Sequence, residues 1–417
     1  MVRQHHPRMS DAVSAMPDPP VEPLRVMVVG SGTRFVSGIS QYTHALTCAL
    51  SARHQVSVVL MRRLLPRRLY PGAERVGAPI TDHRYPSGVD VYDGVDWFLF
   101  PSLLFAWRTL WRQKTNVVVL QWWTGAVAHS YLLLIVMARI RGARIVMEMH
   151  EMQDTGEAKV PLAGGYTRAM LALMIPFVDG FVIHSEADRE PLTAAYRVGA
   201  KPVEVIRHGP FQQYSVSRQH ASRTAPSDCT NLMFFGTIRP YKGLEDLVRA
   251  FEGLEDPQRF WLTVVGETWE GWTEPAQLIA ESRLGDRITF VNRYVSDGEA
   301  ARWLAGADAL VLPYRRSSAS GPLHIGMSLG LPIAVSSVPA LVDAAAGYRG
   351  CVFFPPGDVE SLRHSLNALP AMGDDHYDDP ASWEESVHGY EKIFSAIGLG
   401  SFGDGAYAAA VPGEASA

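Results

Sequence analysis

The chain is 417 residues long, a length that predicts two or three domains, each able to bury its own core. With 47% hydrophobic and 19% charged residues it carries enough apolar surface to offset chain entropy, which excludes global disorder. Cys48, Cys229 and Cys351 lie far apart, which excludes a disulfide framework and a cysteine zinc cluster and suits a reducing cytoplasm.

Residues 1–24 lack an apolar h-region and are interrupted by Pro17, Pro19 and Pro20, so they read as a disordered leader and not as a secretory signal. Residues 25–29 (RVMVV) are a short apolar run ending in Gly30-Ser31-Gly32, which predicts a buried parallel strand. Ile39, Tyr42, Leu46, Ala49 and Leu50 then recur at helical spacing before a second strand at 56–60 (VSVVL), completing one βαβ unit. Further strands are expected at 116–120, 143–147, 180–184 and 202–206, separated by helix-length segments; this alternation predicts a doubly wound α/β domain over 25–211. Two longer apolar runs, 97–107 (WFLFPSLLFAW) and 131–138 (YLLLIVMA), fall well short of the roughly 20 residues of a membrane span. They read as core elements, with surface contact to a membrane as the alternative.

Residues 212–228 are polar and without periodicity, marking a linker. The rhythm restarts with strands at 231–235, 261–265, 287–291, 308–312, 333–336 and 351–354, a second α/β domain over 229–370. A helical segment over 371–399 follows, with its helix at 383–396, and 400–417 read as a disordered tail. Charge divides along the chain. Residues 1–210 hold 23 Lys+Arg against 17 Asp+Glu, a net of +6, and residues 211–417 hold 15 against 26, a net of −11.

Open α/β sheets bind ligands at the carboxyl ends of their strands, so chemistry is sought in the loops that follow them. The loop Gly236-Thr237-Ile238-Arg239-Pro240-Tyr241-Lys242-Gly243 leads into a helix and places two cations where a phosphate or diphosphate can bind. A second loop ends in Ser320-Gly321-Pro322, a helix N-cap with small residues that let backbone N–H groups approach an anion. In the first half, Gly30-Ser31-Gly32 lacks the Gly-X-Gly-X-X-Gly spacing and no acid follows the second strand, which argues against NAD. His150 follows a strand and points toward the interdomain crevice. No Asp-X-Asp occurs, so Arg and Lys, and not a metal, are expected to neutralise a bound diphosphate.

Taken together, Val36-Ser37-Gly38-Ile39-Ser40-Gln41-Tyr42, Ile206-Arg207-His208-Gly209-Pro210, residues 236–250 (GTIRPYKGLEDLVRA) and residues 320–335 (SGPLHIGMSLGLPIAV) resemble the GT4-like retaining glycosyltransferases over about residues 25–395. The resemblance implies the GT-B fold, two Rossmann-like domains facing a cleft, with the acceptor on the first domain and a nucleoside-diphosphate sugar on the second. It implies that Arg239 and Lys242 hold the donor diphosphate, with the backbone at Ser320-Gly321 cradling its distal phosphate and Pro322 counted among the donor-binding residues. Gly38 would let the early loop approach the donor, His150 would sit near the transferred sugar, and Arg293, Tyr294 and Val295 would contact the nucleobase. Where the family usually has two Glu residues eight positions apart, this chain has Ser317 and Ile325. Ser318-Ala319-Ser320-Gly321 resembles a branch, common in surface-polysaccharide assembly, that has Ser-X-Ser-Gly and lacks the acidic pair. Thr237 stands where many members have Arg.

The expected activity is therefore sugar transfer, with retention, to a glycan or polyprenyl-linked acceptor in surface or exopolysaccharide biosynthesis, with no cofactor, no metal and no nucleic acid. A non-catalytic nucleotide-sugar-binding scaffold subunit and a sugar-nucleotide epimerase are the alternatives. Arg62, Arg63, Arg67 and Arg68, interleaved with leucines, together with the aromatic run at 97–107, suggest a cytoplasmic protein resting on anionic lipid at the inner face of the plasma membrane.

Overall fold

The structure, a computed structural model, describes residues 22–32, 38–63, 84–96, 101–151, 163–269, 271–317, 320–373 and 375–402. Val36, Ser37, Arg67, Arg68, Ser318, Ala319 and residues 97–100 lie outside them.

The first domain opens with β1 (Arg25–Ser31), α1 (Gly38–Ser51) and β2 (Gln55–Arg63), a βαβ unit whose strands pair in parallel. It continues through β3 (Asp90–Asp96), α2 (Ser102–Arg112), β4 (Val117–Trp122), α3 (Ala128–Arg141), β5 (Arg144–Met149), α4 (Ala163–Met174), β6 (Gly180–Ile183), α5 (Arg189–Ala195) and β7 (Val203–Val205). The strands form one parallel sheet in the order β3-β2-β1-β4-β5-β6-β7. Central strands covered on both faces read as unbroken apolar runs, and every residue of β4 is buried. β3 escaped the sequence reading because Asp90, Asp93, Gly94 and Asp96 interrupt it. It is an edge strand, where polar residues are tolerated, and its buried Asp96 is paired with Arg62.

The second domain comprises β8 (Thr230–Phe235), α6 (Leu244–Glu252), β9 (Phe260–Val265), α7 (Glu274–Glu281), β10 (Ile288–Val291), α8 (Asp297–Ala305), β11 (Ala309–Leu312), α9 (Gly321–Ser328), β12 (Ile333–Ser336), α10 (Pro339–Ala344), β13 (Cys351–Phe354) and α11 (Val359–Ala368). Its sheet is parallel, in the order β10-β9-β8-β11-β12-β13. Both domains are thus doubly wound and Rossmann-like, as the alternation of strands and helices predicts.

The closing helix α12 (Trp383–Ala396) returns to the first domain and packs beside α1. Its Val387, Tyr390, Ile393 and Phe394 are buried with Tyr42, Leu46 and Val182 on one face of the sheet. Fully burying a side chain of that kind contributes about 1.5–3 kcal/mol, so this helix is a structural part of the first domain despite its position in the chain. The opposite face is covered by α2, α3 and α4 through Leu110, Tyr131, Ile135 and Leu171.

Candidate active site

In each sheet the strand order reverses at one point, between β1 and β4 in the first domain and between β8 and β11 in the second. Ligands bind at such switch points, outside the carboxyl ends of the strands. A cavity of about 260 Å³ lies there, lined by Gly38 and Gln41 of α1, by the loops that follow β8, β9 and β10, and by Gly321, Pro322 and Ile325 of α9. Across the cleft, Gln41 Nε2 donates to Asp297 Oδ2 at 2.8 Å and Gln213 Nε2 donates to Gln41 Oε1 at 3.1 Å. Tyr214 donates to the other oxygen of Asp297 at 3.2 Å.

The loop after β8 is built by glycines. Gly236 has φ +111°, and a Cβ there would stand 3.2 Å from Lys242 Nζ and 3.3 Å from Pro322, so glycine lets the backbone reach both. Gly243 has φ +65° and begins α6, where a Cβ would collide with the Pro313 carbonyl. That close approach presses the loop after β8 onto the loop after β11. Arg315 of the latter is held by Glu245 at 2.6 Å and by Asp246 at 2.9 Å, and its N–H donates to the Tyr241 carbonyl. Ser320 caps α9, accepting from the Leu323 N–H at 3.2 Å, and Gly321 and Pro322 face the cavity.

Lys242 is the electrostatic centre of the site. It lines the cavity, is 8% exposed, and holds its ammonium 5.1 Å above the ring of Tyr314. No carboxylate pairs with it among the described residues. Burial, and after it the nearby Arg239 guanidinium, push its pKa down to about 7. A buried ammonium without a counter-charge is unfavourable, so the pocket is electrostatically incomplete until an anion enters.

The other anticipated residues fall into place as follows. Arg239 is half-buried with its guanidinium 4.7 Å over Trp269, and it is Trp269, not Arg239, that lines the cavity. Arg293, Tyr294 and Val295 also line the cavity, and exposed Arg293 is paired with Glu299 at 2.6 and 2.9 Å. Ile325 also faces the cavity, an apolar side chain that can accept no hydrogen bond from a ribose hydroxyl. Two carboxylates that sequence reasoning missed are there instead: Asp297, already described, and Glu267, which accepts from the Trp269 indole at 3.0 Å. Glu267 directly follows β9 and Gly266, and that post-strand position was the signal available for it.

His150 is buried at the end of β5 and does not line the cavity. It packs with His184, His208 and Tyr42, while His208 stacks on His324 of α9 at 4.8 Å. Read singly, none of these histidines announces the others, because they come from different strand ends. The small residues at Gly30 serve packing: a Cβ there would collide with Gln121 and meet Thr43 at 2.7 Å.

Comparison with known proteins agrees with this architecture. Residues 37–209 match the model of the glycosyl transferase 4-like domain, and residues 229–371 match that of the group 1 glycosyl transferases. The chain belongs to the GT4-like glycosyltransferases. The fold of this GT4-like protein is GT-B. The catalytic domain of starch synthase IV from Arabidopsis thaliana, bound to ADP and acarbose, resembles it with a TM-score of 0.62 over 90% of this chain and 99% of that one, at 11% identity. In sequence it is 29% identical over 163 residues to a GDP-mannose:glycolipid 4-beta-D-mannosyltransferase of Xanthomonas campestris pv. campestris, covering 38% of this chain and 44% of that protein. It is 26% identical over 155 residues to O-antigen chain mannosyltransferase B of Escherichia coli, covering 37% and 38%. The chain thus spans less than half the length of these curated relatives.

Proposed function

We propose that this GT4-like protein transfers a sugar from a nucleoside-diphosphate sugar to a glycan or polyprenyl-linked acceptor with retention of anomeric configuration, in surface or exopolysaccharide biosynthesis. The observation that carries the reading is Lys242, a buried cation that lines the cleft cavity beside Gly321 and Pro322 at the start of α9 and has no acid paired with it among the described residues. A diphosphate supplies the missing charge, and cations preorganised at the leaving group stabilise it as it departs. In the step, the bond from the sugar C1 to the diphosphate oxygen breaks with its electron pair on the diphosphate. The acceptor oxygen bonds to C1 from the same face, and its proton passes to the departing phosphate. No enzymic nucleophile is needed, which suits a cavity whose carboxylates Glu267 and Asp297 are engaged by Trp269, Gln41 and Tyr214. Lys242 and the positive end of α9 neutralise the diphosphate without a metal ion, and Arg239 adds its charge from outside the cavity lining, over Trp269. A relative named for GDP-mannose and a glycolipid supports a sugar-nucleotide donor and a lipid-linked acceptor.

Ile325 in the cavity wall, where the resemblance leads one to expect an acid, favours a second reading, a non-catalytic nucleotide-sugar-binding subunit. A panel of nucleotide sugars separates the two. The transferase raises its Tm with one donor and, given lipid-linked acceptors, releases the nucleoside diphosphate and forms a product whose anomeric coupling matches the donor's. Binding without turnover on any acceptor supports the second reading, and no shift with any donor overturns both.

We further propose that the protein works in the cytoplasm, against anionic lipid at the inner membrane face. No helix among the described residues is long and apolar enough to cross a membrane. All three cysteines are free, which suits a reducing compartment. On the outer side of α2, α3 and α4, Phe105, Trp107, Trp111, Ile140 and Leu173 are between 40% and 72% exposed, and Arg141 stacks over Trp111 at 5.7 Å. Exposed aromatics rimmed by cations match the headgroup boundary, each cation near it contributing about 1 kcal/mol. The anticipated arginine cluster fits less well, since Arg62 and Arg63 both face the buried carboxylate of Asp96.

A further inference from the structure

We propose that His150, His184 and His208 form a binding site for one divalent transition-metal ion of the zinc class, separate from the donor cavity. The three side chains are buried and contribute ring nitrogens that all lie within 4.8 Å of one another.

The hydrogen bonds behind the rings decide which nitrogens can act as ligands. His184 Nδ1 is 2.9 Å from the Ile206 carbonyl, which can only accept, so Nδ1 carries the proton and Nε2 presents a lone pair. That lone pair points at His150 Nδ1, 3.1 Å away. His150 Nε2 stands 3.6 Å from Glu148 Oε2 and makes no hydrogen bond; with the proton on Nε2, the Nδ1 lone pair faces that of His184. In that tautomer an ion between the two nitrogens replaces the N–H···N hydrogen bond that a proton on His150 Nδ1 would make. Zn–N bonds of about 2.0–2.1 Å at a tetrahedral angle separate two ligand nitrogens by roughly 3.3 Å, close to the spacing present.

His208 is the independent observation. It is 8% exposed, and neither ring nitrogen makes a hydrogen bond to protein. A buried donor or acceptor left unmatched is unfavourable, and binding an ion resolves it. Its ring centroid lies 4.2 Å from that of His184, and one of its ring nitrogens is within 4.8 Å of the other two ligand atoms. A fourth oxygen is at hand in Glu148 Oε1, 3.5 Å from His184 Nε2 and without a hydrogen bond. A backbone carbonyl behind the imidazole, as Ile206 stands behind His184, is one way ligating histidines are oriented. Three imidazoles select Zn²⁺, Co²⁺, Ni²⁺ or Cu²⁺ over Mg²⁺ or Ca²⁺. Because His208 stacks on His324 of α9, an ion here ties the ends of the first sheet to the helix whose start lines the donor cavity.

The test uses the full chain, stripped with a chelator and then titrated with Co²⁺ as an optical probe and with Zn²⁺ in competition. One equivalent is expected, with a tetrahedral-type Co²⁺ spectrum. His208→Ala and His184→Ala each lower the affinity at least 100-fold, and Glu148→Gln lowers it about 10- to 100-fold. His324→Ala keeps the equivalent, as does the His5→Ala/His6→Ala double variant, which controls for the histidine pair near the start of the chain. If an alanine variant fails to fold, His208→Gln takes its place, and the wild-type titration stands alone. The proposal is overturned if wild type takes up no tight equivalent, the sign that a shared proton and not a metal joins His150 to His184, or if folded His208 variants bind as wild type does. Neither result bears on donor binding, which is read separately by nucleotide-sugar Tm shifts.

Discussion

With Lys242 assigned to the donor diphosphate as proposed, donor binding is expected to be a proton-uptake reaction, and the consequence is measurable. Free protein holds the lysine at a pKa of about 7 because burial and Arg239 disfavour its charge. A nucleotide sugar is a diphosphate diester whose two negative charges do not titrate between pH 6 and 9, so it binds the ammonium form and keeps it protonated. Apparent affinity is then nearly flat below pH 6.5 and falls about tenfold per pH unit above 7, roughly 100-fold by pH 9. No histidine is among the residues lining the cavity to confuse the profile. Calorimetry in buffers of different ionisation enthalpy should show about half a proton taken up at pH 7 and close to one at pH 8. Lys242→Met, similar in volume but uncharged, removes both the slope and the uptake. Stability moves the opposite way. With a pKa of about 7 folded and near 10.4 unfolded, the buried ammonium costs on the order of 5 kcal/mol below pH 7, and the cost is relieved as pH rises from 7 to 10.4. The methionine variant without donor should therefore melt higher than wild type at pH 6 and converge with it toward pH 10. A wild-type affinity that is flat from pH 6 to 9, or a methionine variant with the wild-type slope, refutes the assignment of Lys242 to the diphosphate.

Lys242→Ala should lower kcat/KM about 10²-fold or more, the usual loss when one preorganised stabilising donor is removed, read with saturating acceptor. Gly236→Ala forces a left-handed backbone on a residue with Cβ and crowds Lys242 and Pro322. It should cost about 1–3 kcal/mol in chemical denaturation and weaken the donor Tm shift. Asp188 is held at a pKa of about 6 by burial and by Asp343, so its contribution to stability falls as pH climbs from the unfolded value near 3.9 through 6. Asp188→Asn should flatten that fall and raise Tm at pH 7, and an unchanged melting profile would count against it. In flotation with anionic vesicles, binding should weaken as salt rises and drop sharply in Trp107→Ser/Trp111→Ser. Arg62→Ser should matter less because Asp96 already holds that cation. A wild-type protein that stays unbound at low salt removes the membrane from the reading.

Features encoded by contiguous residues were legible without coordinates. Parallel strands buried on both faces are short apolar runs, and the loops beyond them hold the site, so Lys242, Gly321, Pro322 and Arg293 to Val295 could all be named from position in the chain. α12 was visible as a helix through its apolar spacing, but its docking on α1 was not, because an amphipathic stripe does not say which sheet it will cover. β3 was missed for a related reason: edge strands carry the same polar residues as loops. Only the tertiary structure showed that Lys242 is buried without an acidic partner, since burial and pairing depend on where Tyr314, Arg239 and the loop after β11 converge. It likewise brought Glu267 and Asp297 into the cavity, whereas the positions where the resemblance implies acids hold Ser317 and Ile325, and it gathered His150, His184 and His208 from three strand ends. Local sequence specifies elements through hydrophobic period and turn chemistry, whereas the charge state and ligands of a side chain are set by neighbours distant in the chain, which folding alone brings within reach.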